Sequence, residues 1–104
     1  MRAFIKALPR TLTNVDDARQ LGRSSGSIGA NYLEANEGLT AKDRKHRMRI
    51  ARKEAKESRW WLRLLDAGNV PEVERERAAL EQEATELLRI LSSIILKLDG
   101  GEGR

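Results

Sequence analysis

Ten Lys or Arg residues crowd the stretch from Lys42 to Arg63 against three acids, Asp43, Glu54 and Glu57, a local excess of seven positive charges. Among them Arg44, Lys45, Arg49, Arg52, Lys56, Arg59 and Arg63 recur at spacings that, on a helix, spread over one broad side. Cations in that pattern neutralise the phosphates of a polyanion, a chemistry blind to base sequence. Four neutralised phosphates would make the affinity for duplex DNA fall with a log-log salt slope of about −3.6. No helix-turn-helix or comparable reading module accompanies the run, so base-specific readout is not expected. Trp60, flanked by Arg59 and Arg63, is an aromatic able to stack on a base; the alternative is burial against a glycine-rich neighbouring helix. Its neighbour Trp61 lies about 100° away around a helix and is expected to face inward or a subunit contact.

Catalytic chemistry finds little to work with. The single histidine, His46, sits among Arg44, Lys45 and Arg47, whose charges repel a metal ion, and it reads as a solvated surface residue. Di-iron bundles need Glu-x-x-His pairs on facing helices, and none occurs. Ser24, Ser25 and Ser27 have no histidine at a readable spacing to activate them, so packing and backbone hydrogen bonding explain them better. Glu34 and Glu37 could form an acid/base pair, but ion pairs with the basic segment are the simpler reading. We expect no enzyme activity, no catalytic residue, no cofactor and no metal site.

Composition sets the frame for these residues. A chain of 104 residues supports one domain with one modest core, and 35% charged residues with prolines only at Pro9 and Pro71 suit long solvent-facing helices without strands. The absence of cysteine excludes disulfides, thiol nucleophiles and cysteine-type zinc sites, and points to a reducing compartment, the cytoplasm. No signal-peptide core or membrane-length apolar run occurs, so no membrane association is expected. The net charge of +4 hides an asymmetry: from Leu64 to Leu98 seven acids outnumber four bases. A basic helix opposite an acidic one means either a nucleic-acid surface or complementary surfaces that pair within or between subunits.

The elements that must position these groups are helices. A first helix is barely two turns long, Arg2 to Leu8, before Pro9 halts it. A second opens with Asn14 as N-cap and Asp17 three residues on, and its seam is Ala18, Leu21, Ser25, Ile28, Tyr32 and Ala35. Gly22, Gly26 and Gly29 lie near that seam at a cost of roughly 1 kcal/mol each, which close approach of a neighbouring helix would offset. A phosphate-binding loop is a poor alternative, because GRSSGSIGAN follows no strand and lacks a Gly-Lys-Ser/Thr signature. Gly38 ends that helix, and Thr40 with Asp43 opens the third, whose seam is Met48, Ala51, Ala55, Ser58, Leu62 and Leu65 and which runs to about Ala67. Pro71 starts the last helix, followed by acids that suit its dipole. Its seam is Leu80, Ala84, Leu87, Leu91, Ile94 and Leu98, broadened by Leu88 and Ile95. The fold expected is an all-α, antiparallel up-and-down four-helix bundle with a short or truncated first helix, a single domain over 1–98 and a disordered tail over 99–104.

The residues now in hand carry a resemblance. Leu8-Pro9, Gln20-Leu21, Arg23-Ser24, Ser27-Ile28, Ala30-Asn31, Glu34-Ala35, Ile50-Ala51, Lys53-Glu54-Ala55, Glu57, Trp61-Leu62 and Leu64-Leu65 resemble the four-helix-bundle family first met as reading frames inside intervening sequences of bacterial 23S ribosomal RNA genes. The match covers roughly residues 8 to 65, and the last helix by pattern alone. The resemblance implies a ring-like homopentamer. It also implies kinship with the accessory protein of diversity-generating retroelements, a basic pentameric barrel that binds nucleic acid and a reverse transcriptase. A pentamer would multiply the basic field five-fold around a ring. Two departures stand out. The family carries a first helix of several turns before the Leu-Pro pair, where this chain offers Met1 to Ala7, so either translation starts upstream or oligomerisation compensates. The position after Asp43 is usually aromatic in the family and is Arg44 here.

Residues and resemblance together lead us to expect a non-enzymatic oligomer binding RNA or DNA non-specifically through its third helix, as an accessory to a nucleic-acid enzyme. The rival expectation is an assembly scaffold whose basic and acidic helices pair across subunits.

Overall fold

The computed structural model describes residues 1–37 and 40–102. Four helices follow in order: α1 (Arg2–Ala7), α2 (Leu12–Asn36), α3 (Ala41–Leu64) and α4 (Pro71–Glu102), with no strand among the described residues. They form an antiparallel bundle 52 Å long and under 20 Å across, in which α3 is the middle element, α2 and α4 lie along it, and α1 packs against α4. Cross-contacts fix the antiparallel register. Residues equidistant from Glu72 meet across α3 and α4, namely Arg63 with Glu81, Arg59 with Thr85 and Lys45 with Asp99.

The third helix follows the expected pattern closely. Thr40 Oγ1 accepts the Asp43 amide hydrogen at 3.0 Å, and Met48, Ala51, Ala55, Ser58, Leu62 and Leu65 are all buried. The helix ends at Leu64, earlier than the expected Ala67. Leu65 turns extended, and residues 65–67 fold so that Leu65 and Ala67 enter the core. Arg77 Nη1 donates to the Leu65 carbonyl at 2.6 Å, a cation satisfying a carbonyl at a helix C-terminus. Gly68 and Asn69 then both take positive φ, 68° and 59°, before Pro71 opens α4.

The second helix corrects the sequence reading in three ways. Its N-cap is Thr11, whose Oγ1 accepts the Asn14 amide hydrogen at 3.2 Å; Asn14 lies inside the helix, buried, with its side chain committed to the 65–67 turn. Its buried line is Leu21, Ser24, Asn31 and Ala35, whereas Ser25 and Ile28 are half-buried and Tyr32 is exposed. Polar residues hold the inward line because their needs are met there: Ser24 and Ser58 hydroxyls pair at 2.8 Å, and Asn31 Nδ2 donates to the Ser27 carbonyl at 2.9 Å. Lastly, among the described residues no helix packs on Gly26 or Gly29, and α1 only grazes Gly22. A Cβ at Gly26 or Gly29 would meet nothing within 4 Å, and at Gly22 only Ile5 Cδ1 at 3.9 Å. Gly38, expected to stop the helix, lies outside the described residues.

Two apolar clusters run along the bundle. One gathers Phe4, Leu8, Leu21, Leu62, Leu65, Ala67 and Val73, with α1 contributing the fully buried Phe4. The other gathers Ala35, Met48, Ala51, Ala55, Leu88, Leu91 and Ile95, and contains no residue of the short α1. On α4 the buried line is Val73, Ala84, Leu88, Leu91 and Ile95; the expected Leu80, Leu87, Ile94 and Leu98 flank it half-buried. α4 also continues past Leu98 to Glu102, its last turn tied to the start of α3 through Asp99.

Candidate nucleic-acid interface

Helix geometry divides the seven candidate cations. Steps of four and three from Leu62 back through Ser58, Ala55, Ala51 and Met48 reach Arg44, so Arg44 prolongs the core line of α3 and is half-buried there. It does not belong to the basic face. The other six, Lys45, Arg49, Arg52, Lys56, Arg59 and Arg63, run along the flank of α3 that looks toward α4.

Along that flank the two ends hold ion pairs and the middle holds none among the described residues. At one end Arg63 pairs with Glu81. At the other Lys45 Nζ lies 2.9 Å and Arg49 Nη2 3.7 Å from Asp99 Oδ1. The hydrogen bond from Lys45, with the charges of Lys45, Arg49 and Arg52, holds the Asp99 carboxyl below the usual carboxylate range. Between the ends, Arg59 Nη1 donates to Thr85 Oγ1 at 3.4 Å, and no described carboxylate pairs with Arg52, Lys56 or Arg59. Among the described residues the helix-on-helix charge pairing expected from composition is therefore realised within one chain at the two ends of this flank, through Glu81 and through Asp99.

Across the other flank the polarity reverses. Arg23 of α2 reaches Glu54 at 3.4 Å and Glu57 at 3.1 Å on α3. Burial pushes the Glu54 carboxyl above its ordinary value, and the hydrogen bond and charge of Glu57 add to it, while Arg23 and Lys53 pull the other way. Glu34 and Glu37, expected to pair with the third helix, are exposed and form no ion pair among the described residues. His46 is exposed, and among the described residues no group of three or more His, Asp or Glu side chains gathers to hold a metal ion.

The two tryptophans separate as helix geometry requires. Trp61 packs against the Phe4–Leu62 cluster, its indole Nε1 buried with no hydrogen-bond partner among the described residues. Trp60 is 55% exposed, not buried on the glycines of α2, and it sits one turn from Lys56 on the same face. From α4, Arg89, Ser92 and Ser93 join Lys56 and Arg59 in lining a groove between the two helices. The sequence reading missed these α4 residues. The available signal was the antiparallel register, which sets Arg52 opposite Ser92.

No helix among the described residues is long and apolar enough to cross a membrane. The family model described as 23S rRNA-intervening sequence protein matches residues 3–93. A search of curated proteins found no match. The chain is also similar to a crystal structure from Bacteroides thetaiotaomicron, a protein of unknown function from the S23 ribosomal protein family. The two are 34% identical with a TM-score of 0.67, over 76% of this chain and 72% of that one.

Proposed function

The chain belongs to the 23S rRNA-intervening sequence protein family, and on that footing we propose that it is a non-enzymatic, oligomeric helical bundle that binds RNA or DNA through the α4-facing flank of α3. The observation that carries this reading is the uncompensated middle of the flank. Arg52, Lys56 and Arg59 stand in a row with no carboxylate partner among the described residues, although acids outnumber bases along α4. Unneutralised cations spaced along a helix repel one another, and a polyanion relieves that repulsion while releasing its own counterions. The exposed indole of Trp60 beside them adds a surface on which a base stacks.

Assembly into an oligomer, with a pentamer as the form the family resemblance implies, is supported by apolar surface left open on α2 and α4. Leu12 is 83%, Leu33 65% and Leu96 71% exposed. An acidic or nucleic-acid-bound enzyme is the kind of partner this basic surface fits. The same open apolar surface favours a second reading, an assembly scaffold with no nucleic-acid role.

Fluorescence anisotropy of labelled RNA and DNA, titrated with salt from roughly 50 to 200 mM, separates the two. Binding that weakens steeply with salt and disappears in the triple variant Arg52→Glu, Lys56→Glu, Arg59→Glu supports nucleic-acid binding. Absence of binding at the lowest salt leaves the scaffold.

A further inference from the structure

Three places in the fold hold chemistry that the basic flank alone does not use: the buried Ser24–Ser58 hydroxyl pair, the Glu54–Arg23–Glu57 cluster, and the α3–α4 groove. The first is closed to solvent and mutually satisfied, and the second is a compensated ion cluster. The groove is open, cationic and uncompensated.

Its polar lining consists of Lys56 and Arg59 from α3 and Thr85, Arg89, Ser92 and Ser93 from α4, with no carboxylate. Thr85 is already committed. Its hydroxyl donates to the Glu81 carbonyl at 3.1 Å and accepts from Arg59, so it fixes the guanidinium in place and offers no hydrogen to a ligand. Ser92 and Ser93 differ. A serine inside a helix ordinarily returns its hydroxyl to a carbonyl of the preceding turn, as Ser24 does to Leu21 and Ser25 to Gly22. Neither Ser92 nor Ser93 makes such a bond among the described residues, which leaves two hydroxyl donors beside three cations. Three positive charges with free hydroxyl donors and no acid match a phosphate. Leu88 and Leu96 add an apolar wall, and Leu96 is largely exposed. Trp60 lies four residues beyond Lys56, on the same face and about 6 Å along the axis.

We propose that the α3–α4 groove seats a backbone phosphate of a single-stranded nucleic acid, with an adjacent base stacked on Trp60. This rests on the nucleic-acid reading above and narrows it. Duplex DNA keeps its bases paired and stacked inside the helix, where an exposed indole cannot reach their faces, whereas a single strand offers phosphate and base together. Arg89, Ser92 and Ser93 thereby join the binding surface, and Arg63, Lys45 and Arg49, tied to Glu81 and Asp99, contribute least.

The test is anisotropy of fluorescein-labelled single-stranded RNA, single-stranded DNA and duplex DNA with the full chain, for wild type, Arg89→Gln, the double variant Ser92→Ala, Ser93→Ala, and Trp60→Ala. Arg75→Gln, an exposed cation on α4 outside the groove, is the charge-matched control, and circular dichroism checks that each variant folds. The result expected is tighter binding to single strands than to duplex. Arg89→Gln and Trp60→Ala should each weaken single-strand affinity about ten-fold, with Arg75→Gln unchanged. Arg89→Gln should also lower the salt slope by about 0.7. RNA and DNA arms of equal affinity mark recognition of phosphate and base alone, and a preference for RNA adds a contact to the 2′-hydroxyl. Binding by wild type that Arg89→Gln and Trp60→Ala leave as intact as Arg75→Gln overturns the groove while sparing the broader reading. No binding by wild type at low salt removes both. An NMR titration with inorganic phosphate that shifts the Arg89 and Ser92 amides, in a chain that binds no oligonucleotide, makes the groove a small-anion site and overturns the proposal.

Discussion

Asn14 of α2 grips the backbone of Asp66 at both ends: its Oδ1 accepts the Asp66 amide hydrogen at 2.9 Å and its Nδ2 donates to the Asp66 carbonyl at 2.8 Å. The same Nδ2 donates to the Pro9 carbonyl at 3.0 Å. One buried amide thus joins the α1–α2 link to the α3–α4 link and closes the lower end of the bundle.

Asn14→Ala takes the partner from those part-buried backbone groups, and we expect a loss of about 2 kcal/mol in urea unfolding. Asn14→Asp keeps the acceptor but loses the donor and sets a carboxylate against two carbonyl oxygens. It should destabilise at least as much at neutral pH and recover part of the loss in acid, where a protonated carboxyl donates again. An Asn14→Asp chain as stable as wild type at neutral pH would show that the two carbonyls are not being served.

The glycines of α2 and the turn glycine respond in opposite directions. Gly26→Ala and Gly29→Ala meet open space, so each should stabilise the chain by about 1 kcal/mol through helix propensity. Gly68→Ala must hold a φ of 68° and place a Cβ 2.5 Å from Pro9 Cγ, and should cost more than about 1 kcal/mol. Thermal unfolding of the three variants checks both signs. Loss of an oligomer on Gly26→Ala, seen by sedimentation, would identify that face of α2 as a subunit contact.

The Ser24–Ser58 pair should behave non-additively. Ser24→Ala strands the buried Ser58 hydroxyl and should cost about 1–3 kcal/mol, Ser58→Ala leaves Ser24 bonded to the Leu21 carbonyl and should cost less, and the double variant, which removes both polar groups, should cost less than the two singles summed. A double-mutant cycle on urea midpoints measures the coupling, and strict additivity would mean that the hydroxyls do not pair in solution.

Glu54 and Asp99 impose opposite pH dependences. The folded Glu54 carboxyl holds its proton to a higher pH than the unfolded value of 4.5, so the native state binds more protons in that window and stability falls as pH rises through it. Glu54→Gln should flatten that slope. Asp99 is depressed below 3.8, so its contribution is fully present above that value and is lost as pH falls through the lower folded value. Asp99→Asn should therefore change stability at neutral pH and leave it nearly unchanged in strong acid. Urea midpoints across the acid range, with NMR titration of both carboxyls, test the two signs together.

Much of the fold is legible from periodicity. The whole inward line of α3, the Thr40 cap and the Pro71 start follow from spacing and capping chemistry, because a helix with one apolar stripe has one way to bury it. Where polar residues take the inward line, as at Ser24 and Asn31, periodicity picks Ser25 and Tyr32 instead, since the partners that satisfy them include groups on α3, the Ser58 hydroxyl for Ser24 and the Arg47 guanidinium for Asn31, which spacing along α2 does not reveal. The same holds for Asn14, a strong cap by type, whose partners lie on a turn fifty-two residues away.

By itself the sequence determined an all-helical chain, a concentration of positive charge on the third helix, and the lack of any thiol, because these depend on residue types and on local spacing. Tertiary structure alone decided which charges remain uncompensated. Arg63, Lys45 and Arg49 meet acids of α4, Arg44 turns to the core line, and Lys56 and Arg59 share a groove with Arg89, Ser92 and Ser93. The physical reason is that a charge acts through what lies within a few ångströms of it, and for residues on different helices that distance is set by how the helices pack.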